Sequence, residues 1–480
     1  MAYEDWEIVM GLEVHSELKT KTKIYCSCST EFGADVNTHV CPVCLGLPGA
    51  LPVLNKKVVE FAIRAGLAMN CSIQEFSKQD RKNYFYPDLP KAYQISQFDL
   101  PLCYEGFVEI ETEELGKKKI GIERIHIEED AGKLLHEATS GTLVDYNRGG
   151  VPLIEIVSKP DFRSIEEARV YLENLKTILK YIDVSDCKME EGSLRSDINI
   201  SVRKKGDTKF GTRTELKNMN SFTHAIKAIE YEYKRQIDVL ENGGTITQET
   251  RRWNEDKQIT ESLRSKEEAH DYRYFPEPDL LPIITPKEVV EEIAKTIPEL
   301  PQKKKERYQA DFGLTAYDAD LIANYKNVAK FYEEACKYGK DTKNIANTII
   351  SEIYKKIDTE EEKEAFEVPF EAKDLGDLDS LIASGVIGKN IAKKVLEEMW
   401  ETGKKPNEIV EEQGLKQIDN DDELKAVVLK VLENDAQSVA DYKAGKERAL
   451  KALMGGIMKE TKGKANPEKV QALLLEELSK

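Results

Sequence analysis

EIVMGLEVHSEL, residues 7–18, alternates along its length. Ile8, Met10, Leu12, Val14 and Leu18 fall on one face and Glu7, Glu13, His15 and Glu17 on the other, with Val9 the apolar exception. Successive side chains of a strand point to opposite sides, so this stretch reads as a β-strand with one buried and one charged face. DINISVR (197–203) alternates again, with Ile198, Ile200 and Val202 inward, and VPLIEIVS (151–158) is a short apolar run like a buried strand, interrupted by Glu155. Helices intervene. Residues 164–182 open on Ser164 and Glu167, a capping-box spacing, and carry Ala168, Leu172, Leu175, Leu179 and Ile182 at helical intervals. Residues 223–240 predict a second helix, stopped by Gly243 and Gly244. Residues 1–296 are therefore expected to form an α+β domain, a mixed sheet with helices.

A break falls at Pro298 to Pro301, in TIPELPQKK. Beyond it β-branched runs thin out, and Glu, Lys, Ala and Leu recur with helical periodicity, as in 317–338 and 389–402. A second break near Lys404 to Pro406 divides this part into two expected all-α domains, 297–406 and a tail, 407–480. A chain of 480 residues is long enough for several such domains. Its 40% hydrophobic and 33% charged residues argue against disorder. No apolar run approaches the roughly 18 residues that cross a bilayer. The start, MAYEDWEIVM, lacks the layout of a signal peptide, so a cytoplasmic protein with reduced thiols is expected. The net charge of −18 excludes a whole-chain grip on nucleic acid; any RNA contact must be local, and neither DNA nor a membrane is an expected partner.

Cys26-x-Cys28, twelve residues, then Cys41-Pro-Val-Cys44 has the pair-plus-pair arrangement of a structural zinc site. Four thiolates close the tetrahedron, leaving no position for a substrate, so residues 26–44 read as a zinc-binding insert. Four reduced thiols without metal are the bland alternative. Cys71, Cys103, Cys187 and Cys336 read as small buried apolar residues.

Several carboxylates stand where strands usually carry apolar side chains. Glu13 and His15 share a face, Glu128, Glu129 and Asp130 end IGIERIHIEED (120–130), and Glu155 interrupts PLIEIV. Burying a lone carboxylate costs several kcal/mol unless it is paired or binds a metal. Oxygen ligands with one imidazole suit Mg²⁺ or Mn²⁺; salt bridges to Arg124, Arg148 or Lys133 are the competing reading. No Walker A sequence is present, so an ATP site here is not a P-loop.

DRKNYFYPDLPKAYQISQFD (80–99) sets Arg81, Lys82 and Lys91 among Tyr84, Phe85, Tyr86 and Tyr93, and HDYRYFPEPD (270–279) repeats this with Tyr272, Arg273, Tyr274 and Phe275. Rings offer stacking faces to bases and cations neutralise phosphate, although such runs are more often packed loops. RTELKNMNS (213–221) crowds Arg213, Glu215, Lys217, Asn218 and Asn220 into a segment that could bind phosphate or metal. Residues 441–464 carry seven basic residues, Lys443, Lys446, Arg448 and Lys451 among them, against three acidic ones. That stretch is either a solvated helix face or a local RNA contact.

These segments together resemble the B-subunit family of tRNA-dependent amidotransferases, of the bacterial heterotrimeric type. GLEVHSEL, the 80–99 block, HIEEDAGK, NRGGVPLIEIVS, KMEEGSLRSDINISVR, ELKNMNSF, QETRRW, DYRYFPEPD, QSVADYKAGKERALKALMGGIMK and ANPEKV carry the resemblance from end to end. It implies a cradle-shaped, kinase-like first domain that uses ATP and a divalent metal to phosphorylate the side-chain carboxylate of Glu-tRNA(Gln) or Asp-tRNA(Asn). Ammonia then displaces phosphate. The implied partners are an amidase A subunit, which releases the ammonia from glutamine, and a small C subunit. The helical and tail domains would hold the tRNA body. DYRYFPEPDLLPI runs directly into a helical segment, leaving no room for the extra domain of the related archaeal-type subunit.

Mapped onto the acidic strands, the implied metal ligands are His15, Glu129 and Glu155 with Glu13 nearby, and Glu128, Glu191 and Asp197 are secondary candidates. Lys82, Tyr84, Lys91, Arg213, Lys217 and Arg273 are candidates for phosphate or tRNA-terminus contacts. A non-catalytic, zinc-containing tRNA-binding scaffold is the alternative function. An aminoacyl-tRNA synthetase is a weaker one, since neither a HIGH-like nor a KMSKS-like motif is present.

Overall fold

In the computed structural model, β1 (Trp6–Glu17) lies inside a nine-stranded mixed sheet. It pairs antiparallel with Pro152–Ser158 on one side and Leu194–Lys204 on the other. Gly116–Glu129 follows beyond the former and Thr214–Lys217 beyond the latter. The description covers residues 2–137, 141–265, 271–418 and 420–479. It falls into two compact units, Met1–Leu300 and Pro301–Lys480.

The alternation of β1 separates the sheet into two unlike faces. Ile8, Met10, Leu12 and Val14 are buried with Ile125, Ile127, Ile154, Ile156, Ile198 and Ile200. Three helices cover this face: α1 (Lys56–Ala68), α2 (Ile165–Tyr181) and α3 (Phe222–Glu241). Each fully buried aliphatic side chain contributes about 1.5–3 kcal/mol by leaving water. Side-chain caps start the helices, Asn55 at α1, Ser164 at α2 and Ser221 at α3. At α2 the reciprocal half of the capping box is not made, because the Glu167 carboxylate accepts from the Arg163 amide (2.6 Å) and from Lys118 (2.8 Å) instead.

The unit Pro301–Lys480 is helical and holds two apolar clusters, one running from Tyr308 to Val410 and one from Leu424 to Leu478. Both expected boundaries move by a few residues. Ile297 and Leu300 pack on the sheet's core, so the first unit ends at Leu300 rather than 296. Pro406 opens a helix, Pro406–Glu412, whose Ile409 and Val410 belong to the earlier cluster, so the two clusters part after Leu415 rather than at 406. Proline suits the first turn of a helix, and here it marks that start. No helix among the described residues is long and apolar enough to cross a membrane.

Candidate active site

The second face of the sheet is charged, and register decides which charges meet. His15 stands opposite Glu155 on one side and Arg195 on the other, and Glu155 stands opposite His126. Two residues along the same strand as His126, Glu128 points to the same side. His15, Glu128 and Glu155 each offer a ligand atom, all within 4.8 Å of one another. The His126 Nε2 atom lies 3.1 Å from Glu155 and 3.2 Å from Glu128, and the His15 Nε2 atom lies 3.5 Å from Glu155.

A small three-stranded sheet, Phe275–Pro276 with Asp80–Asn83 and Tyr93–Ser96, supplies the next contacts. Ser96 Oγ donates to Glu128 at 2.6 Å and Gln94 Nε2 at 3.2 Å, while the Lys82 ammonium stands 4.0 Å from the same carboxylate. Lys82 also lies 5.1 Å from the centre of the Tyr272 ring. Burial works against charge on Glu128, and Lys82 and His126 outweigh it, bringing the carboxyl down to about 2. The same contest, won by His126 and His15, holds Glu155 well below the usual carboxylate range. For His126 burial opposes protonation, and Glu155 and Glu128 prevail, pushing the imidazole up to about 9. Both carboxylates are thus held ionised, the state in which carboxylates ligate a divalent cation, with His126 and Lys82 supplying part of their counter-charge.

Glu13, Asp197 and Glu215 form a second group of three possible ligands on the neighbouring strands. This group has its own counter-charge: the Lys217 ammonium is 2.6 Å from Asp197 and 3.2 Å from Glu215, and Asn199 donates to Glu13 at 2.9 Å. Burial and the charge on Glu155 raise the Glu13 carboxyl above its ordinary range. The salt bridges considered for Glu13 and Glu155 go elsewhere. Arg148 and Arg195 both face Asp130, at 3.7 and 2.8 Å, and Arg124 pairs with Glu123 at 2.9 Å.

Glu129, expected among the metal ligands, is not with them. It lies on the opposite side of its strand, where its carboxylate accepts from the Ile95 amide at 2.9 Å and pairs with Lys91. A shift of register opposite Val157 and Ser158 explains this. Ile120 and Ile122 face the core, then Ile125 and Ile127 do, so the alternation changes parity between them. Glu128 takes the place that an unbroken alternation assigns to Glu129. Exchanging Glu129 for Gln should therefore weaken divalent-cation binding much less than exchanging Glu155 for Gln does, because it acts on the site only through the Lys91 pair. Unpairing the half-buried Lys91 should cost about 1–3 kcal/mol of stability, read by thermal unfolding.

Lys91 is thus taken up by its pair with Glu129, and Lys82, Tyr84 (5.7 Å from the Tyr272 ring) and Lys217 lie on or beside the charged face. Arg213 and Arg273 are exposed, and Glu191 pairs locally with Lys188 at 2.6 Å. Sequence reasoning misses His126. Its signal is the Ile125-His126-Ile127-Glu128 alternation, which sets it beside Glu128.

The sulfurs of Cys26, Cys28, Cys41 and Cys44 all lie within 4.8 Å of one another, with Cys41 and Cys44 3.9 Å apart. Zn–S bonds of about 2.3 Å in a tetrahedron put sulfurs about 3.8 Å apart, so the group can hold such an ion. Cys71, Cys103 and Cys187 are buried and Cys336 half-buried. In the tail, Lys443, Lys446, Arg448 and Lys451 are exposed around the start of the helix Arg448–Glu460.

The family described as GatB/GatE catalytic domain matches residues 8–291, the unit that carries the charged face, and the GatB domain family matches residues 330–478. Among curated proteins, the B subunit of the aspartyl/glutamyl-tRNA(Asn/Gln) amidotransferase of Thermoanaerobacter pseudethanolicus is 62% identical over 99% of this chain and 100% of its own length. The proteins of the same name from Caldicellulosiruptor saccharolyticus and Clostridium botulinum are 58% and 55% identical over the same shares. Identity of this extent over both units shows that the chain belongs to the family of B subunits of the aspartyl/glutamyl-tRNA(Asn/Gln) amidotransferase.

Proposed function

We propose that this chain activates the side-chain carboxylate of Glu-tRNA(Gln) or Asp-tRNA(Asn) with ATP on the charged face of its sheet, in the cytoplasm. It does so as part of a heterotrimer with an amidase A subunit and a small C subunit. The observation that carries the reading is the meeting of His15, Glu128 and Glu155 within 4.8 Å on three adjacent strands. Hydroxide is a poor leaving group, and an acyl phosphate splits one hard displacement into two easier ones. The γ-phosphoryl group passes from ATP to the carboxylate oxygen with release of ADP; ammonia from the A subunit attacks the carbonyl carbon, and phosphate departs carrying the proton that the nitrogen loses. His15, Glu128 and Glu155 would hold a Mg²⁺ or Mn²⁺ ion, whose charge would offset the repulsion between the two anionic reactants.

The protein's own groups set that stage. Ser96 and Gln94 fix the Glu128 carboxylate, and His126 holds Glu155 against its neighbour strand. Lys82, next to Glu128 and Tyr272, is placed to meet a phosphate oxygen. Lys217 offsets part of the charge of the half-buried group Glu13, Asp197 and Glu215. Zinc at the four cysteines would hold the insert rather than take part in the reaction.

The test is tRNA-dependent ATP hydrolysis by the reconstituted complex with Glu-tRNA(Gln), labelled ATP and ammonium. A scaffold protein would give no tRNA-dependent hydrolysis, and that result would end this reading. The tail has its own expected outcome. Replacing Lys443, Lys446, Arg448 and Lys451 by Ala should weaken tRNA binding. It should also flatten the slope of log affinity against log salt by up to about 0.9 for each phosphate left without its cation, measured by filter binding.

A further inference from the structure

We propose that Lys23 is the built-in counter-charge of a tetrathiolate zinc site formed by Cys26, Cys28, Cys41 and Cys44, and that it sets the affinity of that site for the ion. The inference rests on the zinc reading above and adds a residue to it. Lys23 is 0% exposed. Its ammonium donates to the Tyr146 carbonyl at 3.1 Å and lies 3.7 Å from the Cys44 sulfur. Among the described residues no carboxylate oxygen lies within 4.0 Å of it. Lysine is almost never fully buried without a partner, because an ammonium loses its hydration and needs negative charge in return.

One carbonyl does not supply that charge, and the group that can is the sulfur cluster. Four neutral thiols would leave the ammonium only the Glu129 carboxylate, which lines the same hollow beyond 4.0 Å and is already paired with Lys91. Four thiolates around a divalent ion sum to a net charge of about −2, which one ammonium brings to about −1. The buried lysine is thus an observation about the cysteines as well as about itself, since its presence fits a charged, metal-holding cluster and not a neutral one.

The backbone places Lys23 for this purpose. Its amide donates to the Cys28 carbonyl at 2.9 Å, in the first cysteine pair, while its side chain reaches Cys44, in the second. One residue therefore touches both halves of the cluster. Gly150 lies beside Lys23 and Cys44, in the left-handed region at φ +84° that favours glycine. A Cβ there would sit 3.6 Å from both the Cys44 Cβ and the Lys23 Cδ, and its carbonyl accepts from the Ile24 amide at 3.0 Å. Groups that hydrogen-bond metal ligands tune affinity, and their loss typically weakens binding 10- to 100-fold.

The experiment compares the full-length wild type with Lys23→Met, Lys23→Gln and Lys23→Arg. Zinc affinity is read by competition with a chromophoric chelator and the thiolate environment by the charge-transfer bands of the Co²⁺ form. Gln keeps a donor for the Tyr146 carbonyl, so it separates loss of charge from loss of that hydrogen bond. Met and Gln should each weaken zinc binding by about 10- to 100-fold, with Arg closer to wild type. Near-UV circular dichroism of the zinc-loaded variants confirms that the fold survives. Wild-type affinity in both neutral variants would overturn the role of Lys23 while leaving the zinc site standing. A wild-type protein that takes up no zinc or Co²⁺ at all would instead remove the zinc reading itself.

Discussion

Glu155→Gln should lower tRNA-dependent ATP hydrolysis and amide formation by on the order of a hundredfold or more, about 2.7 kcal/mol of transition-state stabilisation. The Glu155 Oε2 atom is where the two imidazoles converge, 3.1 Å from His126 and 3.5 Å from His15. Glu155 also offers one of the three ligand atoms within 4.8 Å of each other. Gln keeps the volume but replaces a charged oxygen by a neutral amide, and one of its termini is a donor facing donors. The cation site would lose one of its two buried carboxylates, and with it the charge that draws two anions together. The fold should survive, because Glu155 is paired through its main chain to strands on both sides and its amide is as large as its acid. The measurement is labelled-ATP turnover with Glu-tRNA(Gln) in the reconstituted complex, alongside Mn²⁺ binding followed by electron paramagnetic resonance. A variant that binds Mn²⁺ and forms Gln-tRNA at the wild-type rate would take Glu155 out of the site. Glu129→Gln is the natural control, being one residue from Glu128 but on the far side of the strand.

Much of this site is legible in the sequence, and the reason is periodicity. β1 keeps its parity from Ile8 to Glu17, so Glu13 and His15 can be assigned to the charged face from their positions alone. The helix read at 164–182 forms as Ile165–Tyr181 because its apolar spacing and its Ser164 cap agree. What the pattern does not carry is register. That Glu155 stands between His15 and His126 is fixed by which strands pair and by how far each slides, and a slip of one residue would reverse every side chain. The choice between Glu128 and Glu129 turns on a single irregularity opposite Val157 and Ser158, which no composition or spacing announces. Lys23 is hidden for another reason: a lysine between Thr22 and Ile24 reads as solvated until its burial is seen. Pro406 misleads because the same residue serves to end a domain and to begin a helix.

If the four cysteines hold zinc as proposed, its removal should have the second largest effect, local before it is global. Residues 26–55 contain no regular strand or helix, and Leu47, Leu51 and Val53 are exposed, so little apolar burial holds the segment. Asn37 and His39 are tied to Asp145 and Asn147, but the turn that carries Cys41 and Cys44 is held by short backbone bonds such as Leu45 to Cys41, Gly46 to Val43 and Leu47 to Pro42. A bound ion at a thousandfold excess over its dissociation constant is worth about 4 kcal/mol, more than such a turn could supply by itself. Chelation, or Cys41→Ser, should therefore speed amide exchange at residues 45–47 by up to about a thousandfold and leave α2 and α3 protected. The disturbance should then reach the charged face along a path of contacts. A side chain at Gly46 would collide with Lys91, which shows how closely that lysine crosses the cysteine turn. Lys91 pairs with Glu129, and Gln94 holds both the Glu129 carbonyl (2.8 Å) and the Glu128 carboxylate (3.2 Å). A loosened turn should consequently weaken Mn²⁺ binding at Glu128 although no zinc ligand touches that site. Hydrogen exchange that is identical in the chelated and untreated proteins would mean that the turn needs no metal. Unchanged Mn²⁺ affinity with a frayed turn would mean that the Lys91–Glu129 pair holds its place without it.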